Sequence, residues 1–340
     1  MQALILVGGE GTRLRPLTET VPKAVMPLAG RPFLSYMIDW LARHGVEEIV
    51  LACGYRADVV REVLGEGGSP TIRYVSEPEP RGTGGAIKFA AAELDERFLA
   101  LNGDVLTDLD LGALISSHEQ RGARASLGLY PVDDATGYGL VKYDSDGAVS
   151  EFLEKPEVPR PGEINAGTYV LERSVLDLIP DGEMVSVERD VFPRLIGEGL
   201  HALPLPGYWM DIGTPGRYLQ ATWDILERRV ETELGDRLDD DGRLVDADVD
   251  LDERATVTGA ALIEAGARIG PEAVVGPRAV VGSSCEIKAQ ATVSSSVLLE
   301  DCRVGEGATV RGSIAGSGAQ VSAGATVADG SVLGPGESVD

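Results

Sequence analysis

Residues 3–13 read Ala-Leu-Ile-Leu-Val-Gly-Gly-Glu-Gly-Thr-Arg, and this stretch decides the fold of the first part of the chain. The unbroken apolar run at 3–7 is typical of a strand buried in a parallel sheet. A glycine-rich loop follows at once, and glycines let backbone N–H groups approach phosphate oxygens closely. The loop matches neither the dinucleotide pattern G-x-G-x-x-G nor the Walker pattern, so neither of those sites is predicted.

Strand-like and helix-like segments alternate from residue 1 to about residue 230. The segments 48–52, 71–75 and 98–102 predict strands, and the segments 33–41, 58–64 and 85–96 predict helices. This alternation predicts a doubly wound, mostly parallel, Rossmann-like α/β sheet. Ligands of such sheets lie beyond the carboxyl ends of the strands, where Gly8-Gly9 and Gly103-Asp104 occur.

A six-residue period of aliphatic residues marks the last part of the chain. It runs without a break through Val257, Ile263, Ile269, Val275, Val281, Ile287, Val293 and Leu299, then slips and resumes from Val304 and again from Val321. A period of six predicts a left-handed parallel β-helix, in which each coil is a triangle with three short sides. We therefore predict an α/β domain over 1–230, a linker or irregular first coil over 231–252, and a β-helix over 253–340.

The composition is strongly acidic, with a formal net charge of −25. Such a surface repels nucleic acid and anionic lipid, so we expect neither as a partner. The chain has no apolar run of 18 residues and no secretory signal, and its three cysteines lack metal-site spacing, which together favour a cytoplasmic protein with reduced thiols. One basic cluster stands against this background near the N-terminus: Arg13, Arg15, Lys23 and Arg31.

The glycine-rich loop, read on through Pro16-Leu17-Thr18 and Pro22-Lys23, resembles the signature of the sugar-1-phosphate nucleotidyltransferases, or NDP-sugar pyrophosphorylases. Further segments match that family in order: 77–86, 101–111, 151–156, 164–169, 185–195 and 207–218. The segment 207–215, Gly-Tyr-Trp-Met-Asp-Ile-Gly-Thr-Pro, and the hexapeptide tail most resemble the mannose-1-phosphate guanylyltransferase branch. The resemblance implies a GT-A-like nucleotidyltransferase fold.

The resemblance also implies a reaction and four catalytic residues. A sugar 1-phosphate would attack the α-phosphorus of an NTP in line, pyrophosphate would leave, and no covalent enzyme intermediate would form. Arg13 would contact the triphosphate, and Lys23 would contact the α-phosphate and the sugar phosphate. Asp104 and Asp211 would hold Mg²⁺, which takes few protein carboxylates and keeps its other positions for phosphates and water. Taken alone, Asp104 at a strand end is equally well explained as a turn or cap residue.

Two sets of binding residues follow from the same resemblance. The nucleotide-binding set is Leu6, Gly8, Gly9, Gly11, Thr12, Arg13, Glu77, Gly82, Thr83 and Asp104. The sugar-phosphate-binding set is Lys23, Tyr138, Gly139, Glu154, Lys155, Asn165, Gly167 and Thr168.

Glu77 bears on the choice of nucleobase. Members of the family that use uracil or thymine commonly carry Gln at this position, whereas Glu is an acceptor-only carboxylate. Such a carboxylate suits guanine, which presents N1–H and N2–H₂ side by side, so the sequence favours GTP with mannose 1-phosphate. The alternative explanation of Glu77 is a surface carboxylate in a proline-rich loop. Arg81 and Gly84 depart from the usual family version of this loop.

Other functions stay open at this point. The same chemistry with dTTP, UTP or ATP and glucose 1-phosphate, or with another sugar or cyclitol phosphate, is the first alternative. A non-catalytic regulatory paralogue that binds NDP-sugar is the second. Acetyl transfer by the β-helix is disfavoured because no histidine follows His201. The β-helix is expected instead to provide the interface of a homo-oligomer.

Overall fold

The computed structural model describes residues 1–66, 68–154 and 158–340, and only the backbone of Glu154. The sugar-phosphate prediction for Lys155 lies outside the described residues. The chain forms two compact units, one of Met1–Gly9 with Met37–Trp209 and the other of Glu10–Tyr36 with Met210–Asp340. The domain boundaries near 230 and 252 stay predictions. No helix in the described part of the chain is long and apolar enough to cross a bilayer.

Thirteen strands and seven α-helices are described before residue 240. The strands are β1 (Gln2–Val7), β2 (Pro27–Leu28), β3 (Arg31–Pro32), β4 (Glu48–Cys53), β5 (Thr71–Ser76), β6 (Arg97–Asn102), β7 (Val105–Thr107), β8 (Ala125–Val132), β9 (Gly139–Tyr143), β10 (Val149–Glu154), β11 (Gly162–Glu172), β12 (Leu200–Pro204) and β13 (Trp209–Asp211). The helices are α1 (Phe33–Arg43), α2 (Ala57–Leu64), α3 (Gly82–Phe89), α4 (Leu111–Arg121), α5 (Phe192–Leu195), α6 (Pro215–Leu226) and α7 (Glu233–Arg237).

Short helical turns of other types complete this part of the chain. The 3₁₀ segments are Thr12–Leu14, Leu17–Glu19, Lys23–Val25, Ala91–Glu93 and Arg173–Leu178, and a π-helical turn spans Val187–Val191.

The first unit is built on a nine-stranded sheet. Strands β6, β1, β4 and β5 lie side by side and parallel, which confirms the predicted doubly wound arrangement. Strand β11 extends the sheet by pairing antiparallel with β6, and β8 and β9 pair with β11 in turn. The central strand β1 is buried on both sides, with Leu4 and Ile5 fully buried. Its apolar run therefore reflects its place in the middle of the sheet.

The helix predicted over 85–96 was placed wrongly at both ends. Helix α3 begins at Gly82, and a 3₁₀ turn replaces its last part. The early start depends on a long-range contact, because the amides of Gly84 and Gly85 both donate to the Val185 carbonyl, at 2.8 and 3.2 Å. Local apolar spacing carries no information about such a contact, and tertiary context overrides propensity here.

The β-helix belongs to the second unit, and its strands are two or three residues long. They are β14 (Arg243–Val245), β15 (Asp250–Leu251), β16 (Thr256–Val257), β17 (Ala261–Ile263), β18 (Arg268–Ile269), β19 (Val274–Val275), β20 (Ala279–Val281), β21 (Glu286–Ile287), β22 (Thr292–Ser294), β23 (Val297–Leu298), β24 (Arg303–Val304), β25 (Thr309–Arg311), β26 (Ile314–Ala315), β27 (Gln320–Val321), β28 (Thr326–Val327), β29 (Val332–Leu333) and β30 (Ser338–Val339).

These strands form three parallel sheets, in which each strand pairs with the third one after it along the chain. This is the three-sided coil that the six-residue period predicts. The interior is a continuous core of aliphatic residues that also contains Cys285 and Cys302.

The structure explains the slip in the period and corrects one position. Val275 pairs with Val293, 18 positions on, but Val293 pairs with Val310, only 17 positions on. The missing residue lies in the side that holds β23, where Leu298 pairs with Val281 and is fully buried. Leu299, predicted as the interior residue, is only half-buried and stands outside the core.

Candidate active site

The carboxyl end of β1 leaves its backbone in the open. Gly8 and Gly9 are exposed, and nothing lies within 4 Å of the side on which a Cβ would stand. The neighbouring strand end is tighter, because the Gly103 amide donates to the Leu6 carbonyl at 3.0 Å. A Cβ at Gly103 would lie 2.7 Å from that oxygen, so only glycine fits there. Asp104 follows this close contact and is half-buried.

The predicted nucleobase loop runs from Glu77 into helix α3. The Glu77 amide continues the sheet by donating to the Cys53 carbonyl at 2.9 Å. Partial burial raises the pKa of the Glu77 carboxyl, while the Arg81 backbone amide and guanidinium act in the opposite direction. The Arg81 guanidinium itself lies over the Phe89 ring, 4.7 Å from its centroid. Glu77 is thus a partly desolvated acceptor at a strand end.

The glycines of this loop pack against the chain rather than facing open space. A Cβ at Gly82 would lie 2.6 Å from the Val185 carbonyl oxygen, and one at Gly84 would lie 2.9 Å from Val185 Cγ1. The Thr83 hydroxyl forms two hydrogen bonds. It accepts from the Val187 amide at 2.9 Å, and its O–H donates to the Glu188 carboxylate at 2.6 Å. Packing against the segment 185–188 therefore accounts for these three residues before any nucleotide is considered.

Trp209 lies beside Tyr138, one of the predicted sugar-binding residues of the first unit. Its indole N–H donates to the Ala166 carbonyl at 2.8 Å, and the Tyr138 ring meets it edge-on at 5.5 Å between centroids. Gly139 pairs with Glu154 across strands β9 and β10. The side chain of Glu154 lies outside the described residues. Trp209 was not among the predicted site residues, although it stands in a segment that carries the resemblance.

Asn165, Gly167 and Thr168 lie on strand β11. The Asn165 side chain accepts from the Gly167 amide at 3.0 Å and donates to the Tyr169 hydroxyl at 2.8 Å. Gly167 has a φ of +70°, and a Cβ there would lie 2.6 Å from the Asn102 amide nitrogen. Thr168 is buried in the sheet with only 2% of its surface exposed. The structure therefore brings Asn165 and Gly167 together and leaves the Thr168 side chain inside.

The second unit holds the rest of the glycine-rich loop. Gly11 adopts a φ of +64°, and its carbonyl accepts from the Thr18 hydroxyl at 2.8 Å. A Cβ at Gly11 would lie 3.1 Å from Lys23 Cβ, so the loop closes directly on Lys23. Lys23 is 9% exposed, whereas Thr12 is exposed. Lys23 is thus a largely buried cation beside the loop.

Arg13 and Asp211 also belong to the second unit. The exposed Arg13 guanidinium lies over Gly213, where a Cβ would stand 2.6 Å from its terminal nitrogen. Asp211 forms an ion pair with Arg217, and its side chain is 16% exposed. Arg217 lies in the first turn of α6, whose N-cap is Thr214. The sequence did not single out Arg217. Asp211 ends strand β13, and Arg217 lies in the helix that follows it.

The predicted residues are divided between the two units. Asp104 belongs to the first unit. Asp211, Arg13 and Lys23 belong to the second unit. Among the described residues, no group of three or more His, Cys, Asp or Glu side chains is arranged to hold a metal ion.

One histidine has a serine partner that the sequence did not reveal. His118 lies 2.9 Å from the Ser126 hydroxyl through Nδ1 and 3.1 Å from Glu172 through Nε2. The order Ser–His–Glu is that of a hydrolase triad. Ser126 is 2% exposed and His118 is fully buried, however, so no substrate reaches them. This group links helix α4 to the sheet.

Two family descriptions match the chain. The nucleotidyl transferase family matches residues 2–228, and the family described as the GMPPB C-terminal domain matches residues 257–340. A protein of Mycobacterium tuberculosis named mannose-1-phosphate guanylyltransferase is 41% identical over 66% of this chain and 65% of its own length. Mannose-1-phosphate guanylyltransferase 1 of Arabidopsis thaliana is 38% identical over 77% of this chain and 74% of its own length. The chain thus spans about two thirds to three quarters of these relatives.

Solved structures give the same family. HddC from Yersinia pseudotuberculosis superimposes with a TM-score of 0.58 at 32% identity, covering 65% of this chain and 97% of that protein. A structure described as the same protein complexed with GMP-PN superimposes with a TM-score of 0.57. With a match over most of its length and the predicted sheet in place, the chain belongs to the nucleotidyl transferase family.

Proposed function

We propose that this chain transfers a guanylyl group from GTP to mannose 1-phosphate, giving GDP-mannose and pyrophosphate. The observation that carries the choice of base is Glu77, a partly desolvated carboxylate at the end of β5. Such a group only accepts hydrogen bonds, and guanine offers two adjacent donors. Relatives named mannose-1-phosphate guanylyltransferase, at 38–41% identity, support the choice of sugar.

The chemistry requires two anionic substrates to be held together. A phosphate oxygen of the sugar 1-phosphate forms a bond to the α-phosphorus of GTP, while the bond from that phosphorus to the bridging oxygen breaks. Pyrophosphate takes the electron pair of the broken bond. Positioning and charge neutralisation carry most of such a reaction, so no nucleophilic side chain is needed.

Arg13 and Lys23 supply positive charge in this proposal. Arg13 is exposed beside the glycine-rich loop and offers a planar fork of donors to the leaving pyrophosphate. Lys23 is largely buried, and its Cβ lies beside Gly11. Its charge would neutralise the α-phosphate and the sugar phosphate. The exposed glycines Gly8 and Gly9 offer backbone amides to phosphate oxygens.

Asp104 and Asp211 are the residues that would hold Mg²⁺. Both are carboxylates with limited exposure, and this donor chemistry fits a hard cation. When bound, magnesium would neutralise charge on the triphosphate. Arg217 would orient the Asp211 carboxylate through their ion pair.

The other proposed contacts follow the two predicted sets. Leu6, Gly11, Thr12, Gly82 and Thr83 would line the nucleotide with the residues already described. Tyr138, Gly139 and Glu154 would contact the sugar together with Asn165 and Gly167, and Lys155 and Thr168 complete that set. The homo-oligomer built through the β-helix also stays a proposal, and light scattering of the purified chain measures it.

The test is pyrophosphate release with Mg²⁺ across ATP, GTP, CTP, UTP and dTTP combined with several sugar 1-phosphates. We expect the highest kcat/KM with GTP and mannose 1-phosphate. A maximum at another pair would keep the reaction and overturn the proposed specificity. No release with any pair, combined with retained binding of GDP-mannose, would overturn the catalytic proposal in favour of a regulatory paralogue.

A further inference from the structure

Glu188 lies in the π-helical turn Val187–Val191, between the predicted nucleobase loop and the predicted sugar pocket. Single π-helical turns are rare and frequently occur at functional sites. The Glu188 carboxylate faces three hydroxyl groups, those of Thr83, Ser186 and Tyr169. None of the sequence patterns singled it out.

One carboxylate oxygen of Glu188 is tied to the nucleobase loop. Its Oε2 accepts from the Thr83 hydroxyl at 2.6 Å and from the Ser186 hydroxyl at 2.7 Å. The Thr83 oxygen in turn accepts from the Val187 amide at 2.9 Å. Hydrogen bonds to an ionised acceptor are short and about twice as strong as neutral ones. Glu188 therefore fixes the rotamer of Thr83 beside Gly82.

The other oxygen faces the sugar pocket. The Tyr169 hydroxyl lies 3.4 Å from Glu188 Oε1, a long contact, and it accepts from the Asn165 amide nitrogen at 2.8 Å. Tyr169 is fully buried, so its hydroxyl cannot turn towards solvent. Asn165 Oδ1 then accepts from the Gly167 amide at 3.0 Å. A single chain of contacts runs from Glu188 to Asn165.

The charge on Glu188 sets the direction of this chain. A carboxylate only accepts, so Tyr169 donates to it and receives the Asn165 N–H. The Asn165 amide is thereby held with its nitrogen towards Tyr169 and its oxygen towards Gly167. A reversed amide would place an N–H against the Gly167 N–H, and an unsatisfied buried pair is costly.

We propose that Glu188 is a positioning residue that orders the nucleotide loop and the sugar pocket together. It acts on the nucleotide through Thr83 and on the sugar phosphate through Tyr169 and Asn165. This inference rests on the proposed function for the identity of the two ligands. Its specific consequence is that one carboxylate influences the binding of both substrates, whereas each hydroxyl influences only one.

The experiment compares five single variants and one double variant with the wild-type chain. Glu188→Gln keeps the shape of the side chain but weakens both links. It turns one carboxylate oxygen into an NH₂ donor, which conflicts with a hydroxyl that donates to it, and it removes the negative charge from the other oxygen. Thr83→Val and Tyr169→Phe each remove one hydroxyl at nearly constant volume. Glu183→Gln is the matched control, because Glu183 is an exposed carboxylate that shortly precedes Glu188 in the chain.

We expect Glu188→Gln to raise KM for both GTP and mannose 1-phosphate by about tenfold each, the effect of losing one charged hydrogen bond, with kcat changed less than either. Thr83→Val should raise only the KM of GTP, and Tyr169→Phe only that of mannose 1-phosphate. Glu188→Asp should recover part of the loss. Adding Tyr169→Phe to Glu188→Gln should raise the KM of mannose 1-phosphate no further.

A Glu188→Gln variant that changes one KM or neither overturns the coupling, and so does an equal change in Glu183→Gln. Thermal unfolding of every variant with GTP alone and with mannose 1-phosphate alone reports binding without turnover. A wild-type chain that binds both ligands but releases no pyrophosphate would refute the proposed reaction. The ligand-induced shifts in Tm would then still decide the role of Glu188.

Discussion

The α/β sheet and the β-helix both consist of parallel strands, but they use them differently. Strands β1, β4 and β6 have six residues each, and glycines and polar residues follow their carboxyl ends. The β-helix strands have two or three residues and face a core of valine, isoleucine, leucine, alanine and cysteine. The comparison teaches that the ends of long strands leave room for many of the candidate residues, while the short stacked strands of the β-helix mainly build a core.

The largest expected effect comes from removing charge at the glycine-rich loop. Arg13→Ala should lower kcat/KM by about 10³-fold, because one arginine that stabilises phosphoryl transfer has an effect of that order. Asp211→Asn should have a comparable effect. Far-UV circular dichroism should show an unchanged fold in both variants.

Arg268→Ala is the matched control, since Arg268 is an exposed arginine of the β-helix. It should leave turnover unchanged. Near-wild-type turnover in Arg13→Ala would remove that residue from the catalytic assignment.

A cavity in the β-helix should affect stability and not chemistry. Ile287 is buried in the coil interior, so Ile287→Ala should lower the free energy of unfolding by about 2–5 kcal/mol. At a temperature where the variant stays folded, kcat/KM should equal that of the wild type. Urea unfolding and steady-state kinetics measure the two quantities.

Lys288→Ala, at the exposed neighbouring position, is the control and should change neither quantity. A large loss of kcat/KM in folded Ile287→Ala would mean that the two regions are not separate in function.

A smaller effect is expected at the nucleobase loop. Glu77→Gln should lower the ratio of kcat/KM for GTP over UTP by about tenfold, because the acceptor for one guanine donor becomes a donor. Competition between the two nucleotides in one assay measures this ratio directly. An unchanged ratio would remove Glu77 from base recognition.

The smallest effect concerns pH and the buried His118. Burial lowers the pKa of His118 below its ordinary value of 6.5. The hydrogen bond with Glu172 acts in the opposite direction but does not outweigh burial. The unfolded chain therefore binds a proton before the folded chain does as pH falls. Stability from neutral His118 is complete above pH 6.5 and declines below it.

The hydrogen bonds from Arg97 and His118 lower the pKa of Glu172 despite its partial burial. The stability that ionised Glu172 contributes is therefore also lost as pH falls, but at lower pH than that of His118. Urea midpoints between pH 8 and 5 should decrease, and His118→Gln should flatten that slope. The β-helix contains no histidine, so the histidine contribution to this slope comes from the α/β part of the chain. A pH slope of the urea midpoint that is equal in His118→Gln and in the wild type would contradict this account.

The β-helix was largely predictable, because its six-residue period is written in consecutive residues. Leu299 was the exception, since the shortened coil side places Leu298 inside, and only the pairing with Val281 reveals this. The parallel core of the α/β sheet was predictable for a different reason, because strand-like and helix-like segments alternate along this part of the chain.

The candidate site was only partly predictable. The glycine-rich loop, Glu77 and Asn165 stand in recognisable local patterns. Glu188 lies in the segment 185–195, which carries the resemblance, but its role was not predictable. Its partner Thr83 is 105 positions away, and the bond between them exists only in the folded chain. Gly82 and Gly84 both pack against Val185, and this contact between distant parts of the sequence is likewise visible only in the folded chain.

The central claim is that the chain joins the α-phosphorus of GTP to the phosphate of mannose 1-phosphate. The most direct test is to incubate the purified chain with α-³²P-labelled GTP, mannose 1-phosphate and Mg²⁺, and to separate the products. The account predicts that the label appears in GDP-mannose while the released pyrophosphate is unlabelled. Label that stays in GTP, or that appears as GMP without GDP-mannose, would contradict it.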